Sequence, residues 1–393
     1  MLNEKMLQLG ENRSVIREIF EYGNKRRAEI GAENVFDFSL GNPSIPAPKA
    51  VNDAMIKLLS DTDPVKLHGY TSAQGAPDVR KTIADSIVNR FSVDADHNLI
   101  YMTCGAAASL TICLNALCNS GDEVIALAPF FPEYRVFAEK AGAKLVVAKC
   151  RESDFQIDFD VLEKSITKNT KAIIVNSPNN PTGVVLSKET IEELALLLNK
   201  KQAEYGTNIF IICDEPYREL AYGVEVPYIP KFYDNTIVCY SYSKSLSLPG
   251  ERIGYIFVAP NVINKNKVYA AVCGAGRALG FVCAPSLLQF TVKDCVDLTS
   301  DVSVYKKNRD LLYNSLTEYG YTAAKPDGAF YLFIKSLEAD ANAFCERAKK
   351  YELLLVPSDS FGFEGYVRIS YCVSTEQIEK SLPSFKALIE EYK

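Results

Sequence analysis

From about residue 80 the chain alternates short, nearly continuous runs of apolar, often β-branched residues with amphipathic helical segments, and few folds accept that pattern. "PDVRKTIADSIVNRF" reads as a helix and "NLIYMT" as a strand, then "AAASLTICLNALC" as a helix and "DEVIALA" as a strand. "YRVFAEKAG" and "KLVVAKC" repeat the pair, and "KAIIVNS", "NIFIICDE" and "TIVCYSYS" follow as strands, with "KETIEELALLLNKK" helical after the first. Strands this apolar are buried on both faces, so the pattern predicts an α/β architecture, a mainly parallel sheet flanked by helices. In such sheets ligands gather at the carboxyl ends of the strands.

The two ends of the chain read differently. Residues 14–30, "SVIREIFEYGNKRRAEI", set Val15, Ile16, Ile19 and Phe20 on one helical face before a Gly/Pro-rich connection at 41–48. After about residue 285 a long helical stretch, "APSLLQFTVKDCVDLTSDVSVYKKNRDLLYNSLTEYG", precedes "GAFYLFIKS", "ELLLVPSDSF" and "YVRISYCV" as strands. A last helix opens at "STEQIEKSL", where Ser374 and Gln377 have capping-box spacing. At 393 residues the chain exceeds one ordinary core. The expected division is a large domain over 47–285 and a smaller α+β domain made of 1–46 together with 286–393.

Composition excludes several function classes. A net charge of -6 with no basic stripe argues against nucleic acid, and the densest basic run, "NKRRAE", fits an exposed helix face. No apolar run is long enough for a membrane span, and the N-terminus lacks the basic start and apolar core of a signal peptide. The 11 cysteines include no CxxC pair and lie singly in apolar runs, which fits reduced thiols in a cytoplasmic protein and no metal. Two histidines leave little for a His-rich metal site or a Ser-His-Asp triad. "GAGRALG" misses the dinucleotide fingerprint, no GxxxxGK[ST] loop exists, and the sequon "NRS" at 12–14 would go unused in the cytoplasm.

Four strand ends carry polar groups that need a reason. "IFIICDEPY" puts Asp214 directly after an apolar run, where a carboxylate is costly unless paired; helix capping is the ordinary alternative. "IIVNSPNNPTG" ends a strand in asparagines and prolines, which taken alone is turn chemistry. "YMTCGAAASL" runs through Gly105 into a helix of small residues, a start that can take a phosphate or simply pack closely on the sheet. "SYSKSLSLPGERIGY" sets Lys244 among serines with Arg252 beyond, either a surface loop or a site. One ligand would use all four: pyridoxal phosphate, with its phosphate, its ring nitrogen and an aldehyde for a lysine amine.

"NSPNNPTG", "CDEPY" and "SYSKSLSLPGERIGY", in that order, resemble the fold-type I aminotransferases of class I/II, the aspartate aminotransferase superfamily, and the likeness runs from "LGNPSIPAP" to "VRISYC". The resemblance implies a seven-stranded-type sheet and a pyridoxal 5'-phosphate coenzyme. It assigns Lys244 as the residue that carries the coenzyme and shuttles the substrate proton, and Asp214 as the partner of the ring nitrogen. Asn180 and Tyr217 match the partners of the ring oxygen, and Phe131 the stacked aromatic, with Phe130 as the alternative register. Gly105, Ala106 and Ala107 with Ser241, Ser243 and Arg252 match the phosphate ligands. Arg368 matches the fork for the substrate α-carboxylate, and Gly41 leaves the substrate room. Tyr70 matches a residue reaching the phosphate of a neighbouring subunit's coenzyme, which implies a homodimer with shared sites.

The chain departs from the family in having no tryptophan, so Phe131 keeps a π face without an indole N–H. Arg277 falls in the region where aspartate-specific relatives hold a distal carboxylate, and the alternative is an exposed loop arginine. The expected activity is exchange of an amino group between an amino acid and a 2-oxo acid, leaning to aspartate or a broad range with 2-oxoglutarate as acceptor. A carbon–sulfur β-lyase on the same scaffold is the alternative, and a non-catalytic coenzyme-binding regulator a distant one.

Overall fold

The structure, a computed structural model, describes residues 2–11 and 14–393. Asn12 and Arg13 of the sequon lie outside the described residues. Twelve strands are present among them: β1 (Phe36–Asp37), β2 (Ile100–Thr103), β3 (Glu123–Ala128), β4 (Lys144–Lys149), β5 (Thr170–Asn176), β6 (Phe210–Asp214), β7 (Thr236–Ser241), β8 (Gly254–Val258), β9 (Tyr331–Lys335), β10 (Leu353–Leu354), β11 (Val356–Pro357) and β12 (Tyr366–Ser370).

Seven strands form one sheet in the order β2-β8-β7-β6-β5-β3-β4. All neighbours run parallel except β8, which is antiparallel to both β2 and β7. The expected mainly parallel sheet is therefore present, with β8 as a strand the sequence pattern does not mark: "GYIFV" is short and follows the polar loop without a break. The sheet is buried on both faces, with Ile173, Ile211, Ile237 and Ile256 fully inaccessible. Each such side chain contributes about 1.5–3 kcal/mol of burial, so truncating Ile211 to alanine costs roughly 2–5 kcal/mol.

A second core gathers Phe38, Leu312, Phe330, Phe344 and Phe385 around the antiparallel sheet β11-β12-β9 and the helices Ser303–Tyr319 and Thr375–Glu390. β1 pairs with β10 in parallel, and Ile19 of the helix Val15–Ile30 packs with Val35, Leu354 and Phe361. The chain's start thus pairs with its last third. The long helix expected after residue 285 is instead two, Ser286–Cys295 and Ser303–Tyr319. "DLTSD" breaks it: Ser300 N and Oγ donate to the Ser245 carbonyl at 2.8 and 3.0 Å, and Asp301 accepts from Ser303 N. The first of the two packs on Lys49–Asp61 and Pro77–Phe91, with Leu288, Val292 and Cys295 in the larger core. A boundary at 285 separates this helix from its core; we propose one near residue 296 instead. The capping box at Ser374 is half formed: Gln377 N donates to Ser374 Oγ at 3.1 Å, but the Gln377 amide reaches the Asp37 carbonyl.

Candidate active site

The carboxyl ends of β5, β6 and β7 and the helix following β2 open into a cavity of about 360 Å³. Its lining includes Gly41, Ala106, Ala107, Phe131, Asn180, Asp214, Tyr217, Ser241, Ser243, Lys244, Arg252 and Arg368. These are twelve of the residues expected from the sequence. Gly105 sits just behind them. Tyr70 and Arg277 do not join this cavity: Tyr70 is 100% exposed, and Arg277 is exposed in the last turn of the helix Lys265–Ala278. Phe131 faces the cavity, while Phe130 is buried and does not line it.

One end of the cavity is built for an anion. Gly105, at φ 88, caps the helix Ala106–Leu117, so its first N–H groups are free, and a side chain at 105 would strike the Arg252 guanidinium at 2.5 Å. Arg252 Nη1 donates to Ser243 Oγ at 3.1 Å, and the hydroxyls of Ser241 and Ser243 lie 2.8 Å apart. Arg252 itself holds φ 51, a left-handed conformation that costs a non-glycine residue about 1–2 kcal/mol and clusters at functional sites.

Asp214 ends β6 in full burial. Tyr134 donates to its Oδ2 at 2.5 Å, while Oδ1 is buried with no partner among the described residues. Burial drives its carboxyl up to about 7, against the Tyr134 hydrogen bond and helped by Glu215. A buried carboxylate oxygen left bare costs roughly 1–3 kcal/mol or more, and a cationic ring N–H is the group that would satisfy it. Asn176, at the end of β5, donates to the Asp214 carbonyl at 2.8 Å and accepts from Asn180 N at 2.8 Å, so one side chain fixes two of the expected residues.

Lys244 lies in the helical turn Tyr242–Ser245 directly after β7, and its Nζ donates to the Gly41 carbonyl at 2.6 Å. Burial lowers its ammonium to about 8, against an opposing pull from Cys372 and with added repulsion from Arg252 and Arg368. The amine therefore loses its proton far more readily than an ordinary lysine, and the neutral form is the one a nucleophile needs.

Arg368 comes from β12, paired with Phe333 of β9. Its Nη1 donates to Asn180 Oδ1 at 3.1 Å and its Nη2 to the Ser39 carbonyl at 2.5 Å; Nε is buried without a partner among the described residues. The guanidinium rests on the Tyr331 ring at 4.8 Å and the Phe361 ring at 5.2 Å. Burial pulls the Arg368 guanidinium down from its ordinary value. A planar carboxylate would satisfy such a fork. A side chain at Gly41 would meet Tyr331 Oη at 2.0 Å, so only glycine fits beside this tyrosine.

Several site residues escaped sequence reasoning. Tyr134 and Tyr331 read as ordinary core aromatics, and nothing local distinguishes them. Asn176 carried the same signal as Asp214, a polar residue closing a buried strand. Ser14, Ile16, Leu40 and Glu133 also line the cavity, and only packing brings them there.

The donor set suits a phosphate, a protonated ring nitrogen, an amine linkage and a carboxylate, all at the strand ends of a seven-stranded sheet with a small partner unit. This arrangement defines the fold-type I transferases, and solved structures agree. An aminotransferase from Eubacterium rectale superposes with a TM-score of 0.98 at 57% identity, over 100% of this chain and 99% of that one. The model for "Aminotransferase class I and II" matches residues 33–385. The chain is 33% identical to the "Probable aspartate aminotransferase" of Methanocaldococcus jannaschii, over 96% of this chain and 97% of that protein. It is 31% identical to the "Aspartate aminotransferase" of Thermotoga maritima, over 93% and 95% respectively. The chain belongs to the class I and II aminotransferase family and is an amino-acid aminotransferase, from a family that generally depends on pyridoxal phosphate. Among the described residues no cluster could hold a metal, and no helix is long and apolar enough to cross a membrane.

Proposed function

We propose that this aminotransferase binds pyridoxal phosphate through Lys244 and works as a cytoplasmic homodimer, exchanging amino groups between amino acids and 2-oxo acids. The leaning is to aspartate or a broad donor range, with 2-oxoglutarate as acceptor. The observation that carries this reading is the bare, buried Oδ1 of Asp214, at the end of the same cavity floor as a lysine whose amine is depressed to about 8. When bound, the coenzyme supplies an electron sink for the bond broken at the substrate Cα.

The chain's own residues do the rest. Asp214 keeps the ring nitrogen protonated, and Tyr134 holds Asp214 in place. Ser241, Ser243, Arg252 and the helix start at Gly105, Ala106 and Ala107 hold the phosphate. Phe131 stacks on the ring, and Asn180 and Tyr217 hydrogen-bond its oxygen. Arg368 fixes the substrate carboxylate, and Gly41 leaves it space. Lys244 Nζ takes the proton from the substrate Cα and returns it on the far side of the exchange. Tyr70 and Arg277 act across the dimer, Tyr70 on the phosphate and Arg277 on a distal carboxylate; the full exposure of Tyr70 in one chain supports this. Eleven cysteines without a disulfide support a reducing compartment.

A panel of amino donors with 2-oxoglutarate, read by glutamate formation, tests the reaction. Pyruvate and ammonia from cystathionine, with no glutamate from any donor, would make the chain a β-lyase instead. Arg277→Ala should lower kcat/KM for acidic donors by about tenfold or more while sparing neutral ones. An equal effect on both donor classes removes Arg277 from the site.

A further inference from the structure

Tyr331 touches three parts of the site at once. Its Oη lies 2.9 Å from Tyr217 Oη, its ring carries the Arg368 guanidinium at 4.8 Å, and its hydroxyl abuts the backbone of Gly41. It also lines the cavity. No other hydrogen-bond partner of Tyr331 Oη is found among the described residues. Burial pushes the Tyr331 phenol up to about 12 and Tyr217 well above its ordinary value, so both hydroxyls keep their protons at neutral pH.

Two neutral hydroxyls this close share one proton, and the arrangement is constrained. If Tyr331 donates to Tyr217, both groups are satisfied and the Tyr217 proton is left to point into the cavity. If Tyr217 donates instead, it has no proton left to offer toward the cavity. A phenol that accepts a hydrogen bond is also a stronger donor.

We propose that Tyr331 is a positioning residue of the reaction: its hydroxyl aims the Tyr217 proton at the coenzyme's ring oxygen, while its ring seats Arg368 for the substrate carboxylate. The inference rests on the reading of Tyr217 as the ring-oxygen partner. One side chain then touches both contacts, with its hydroxyl toward Tyr217 and its ring under Arg368. The charged and titratable groups facing this pair are Arg368, Asp214, Cys372 and, through Gly41, Lys244.

The test uses the coenzyme-loaded protein and follows the pH dependence of the bound coenzyme's absorbance. Losing a donor to the ring oxygen favours the protonated form of the chromophore, so the midpoint moves up. Tyr331→Phe, which keeps the ring, should raise the midpoint by about one pH unit, and Tyr217→Phe by at least as much. The double variant should shift no further than Tyr217→Phe alone, because Tyr331 acts through Tyr217. Tyr331→Leu, which also removes the ring, should raise KM for amino-acid donors about tenfold beyond Tyr331→Phe with kcat less affected. An unmoved midpoint in Tyr331→Phe, with Tyr217→Phe shifted, overturns the inference and leaves the proposed function standing. An unmoved midpoint in Tyr217→Phe itself removes the ring-oxygen assignment and this inference with it. Equal KM values in the Phe and Leu variants overturn the seating of Arg368.

Discussion

The floor of the cavity and its rim are built by different means. The floor comes from strand ends of one parallel sheet: Asn176, Asp214 and Ser241 close β5, β6 and β7, with Lys244 one turn later. Backbone register fixes them, and their mutual bonds, such as Asn176 to Asp214, are between neighbouring strands. The rim comes from Ser39, Gly41, Tyr331 and Arg368, drawn together by side chains reaching backbone carbonyls. Both reaching cations, Lys244 and Arg368, hold carbonyls of the 39–41 segment. On the proposed function the floor would hold one permanent guest, while the rim would hold exchangeable contacts suited to substrates that come and go.

That contrast can be attacked directly. Lys244→Ala on the floor should abolish turnover, by about 10⁴-fold or more, and should leave no coenzyme attached after borohydride reduction, as read by mass spectrometry. Substantial transamination by that variant would undo the assignment of the floor. Arg368→Ala on the rim should lower kcat/KM by about 10³-fold for every carboxylate donor while the absorbance of bound coenzyme stays intact. If coenzyme capture falls with it, floor and rim are one unit and the contrast fails.

Asp214 gives the gentlest probe, through stability. Its folded carboxyl stands near 7 against an ordinary value of 3.8, so the folded state binds the proton more tightly than the unfolded chain. That contribution is fully present below about pH 4 and is lost as pH rises through about 7, amounting to no more than about 4 kcal/mol. Melting curves of coenzyme-free protein should therefore show wild type falling relative to Asp214→Asn across that window, and the gap should close when coenzyme is added. Parallel pH profiles for the two proteins would mean that Asp214 is not strained in the empty floor.

The same contrast explains what could be read from the sequence. Asp214, Asn180 and Lys244 were legible because a polar group that closes a run such as "IFIIC" is a local anomaly with a physical cost. Gly105 and Arg252 were legible because a helix start and a cation sit in short local motifs, "TCGAAAS" and "LPGERIG". Tyr331 was not, since "GAFYLF" is an unremarkable aromatic strand whose importance lies in a tyrosine more than a hundred residues away. Tyr134 hid for the same reason. β8 was missed because a five-residue strand on the heels of a loop has no pattern length, and the break at 296–302 because its cause is a hydrogen bond to Ser245.

The pairing of β1 with β10, and of the Ser39 carbonyl with Arg368, has a further consequence for how the molecule is made. On the ribosome residues 36–39 emerge early, yet their partners Leu353, Leu354 and Arg368 arrive only when positions 353–370 have left the exit tunnel. The sheet and its lysine can assemble from sequential neighbours, but the mouth that recognises substrate closes only when synthesis is nearly finished. Nascent chains halted short of residue 370 would hold the furniture of a coenzyme site with no door.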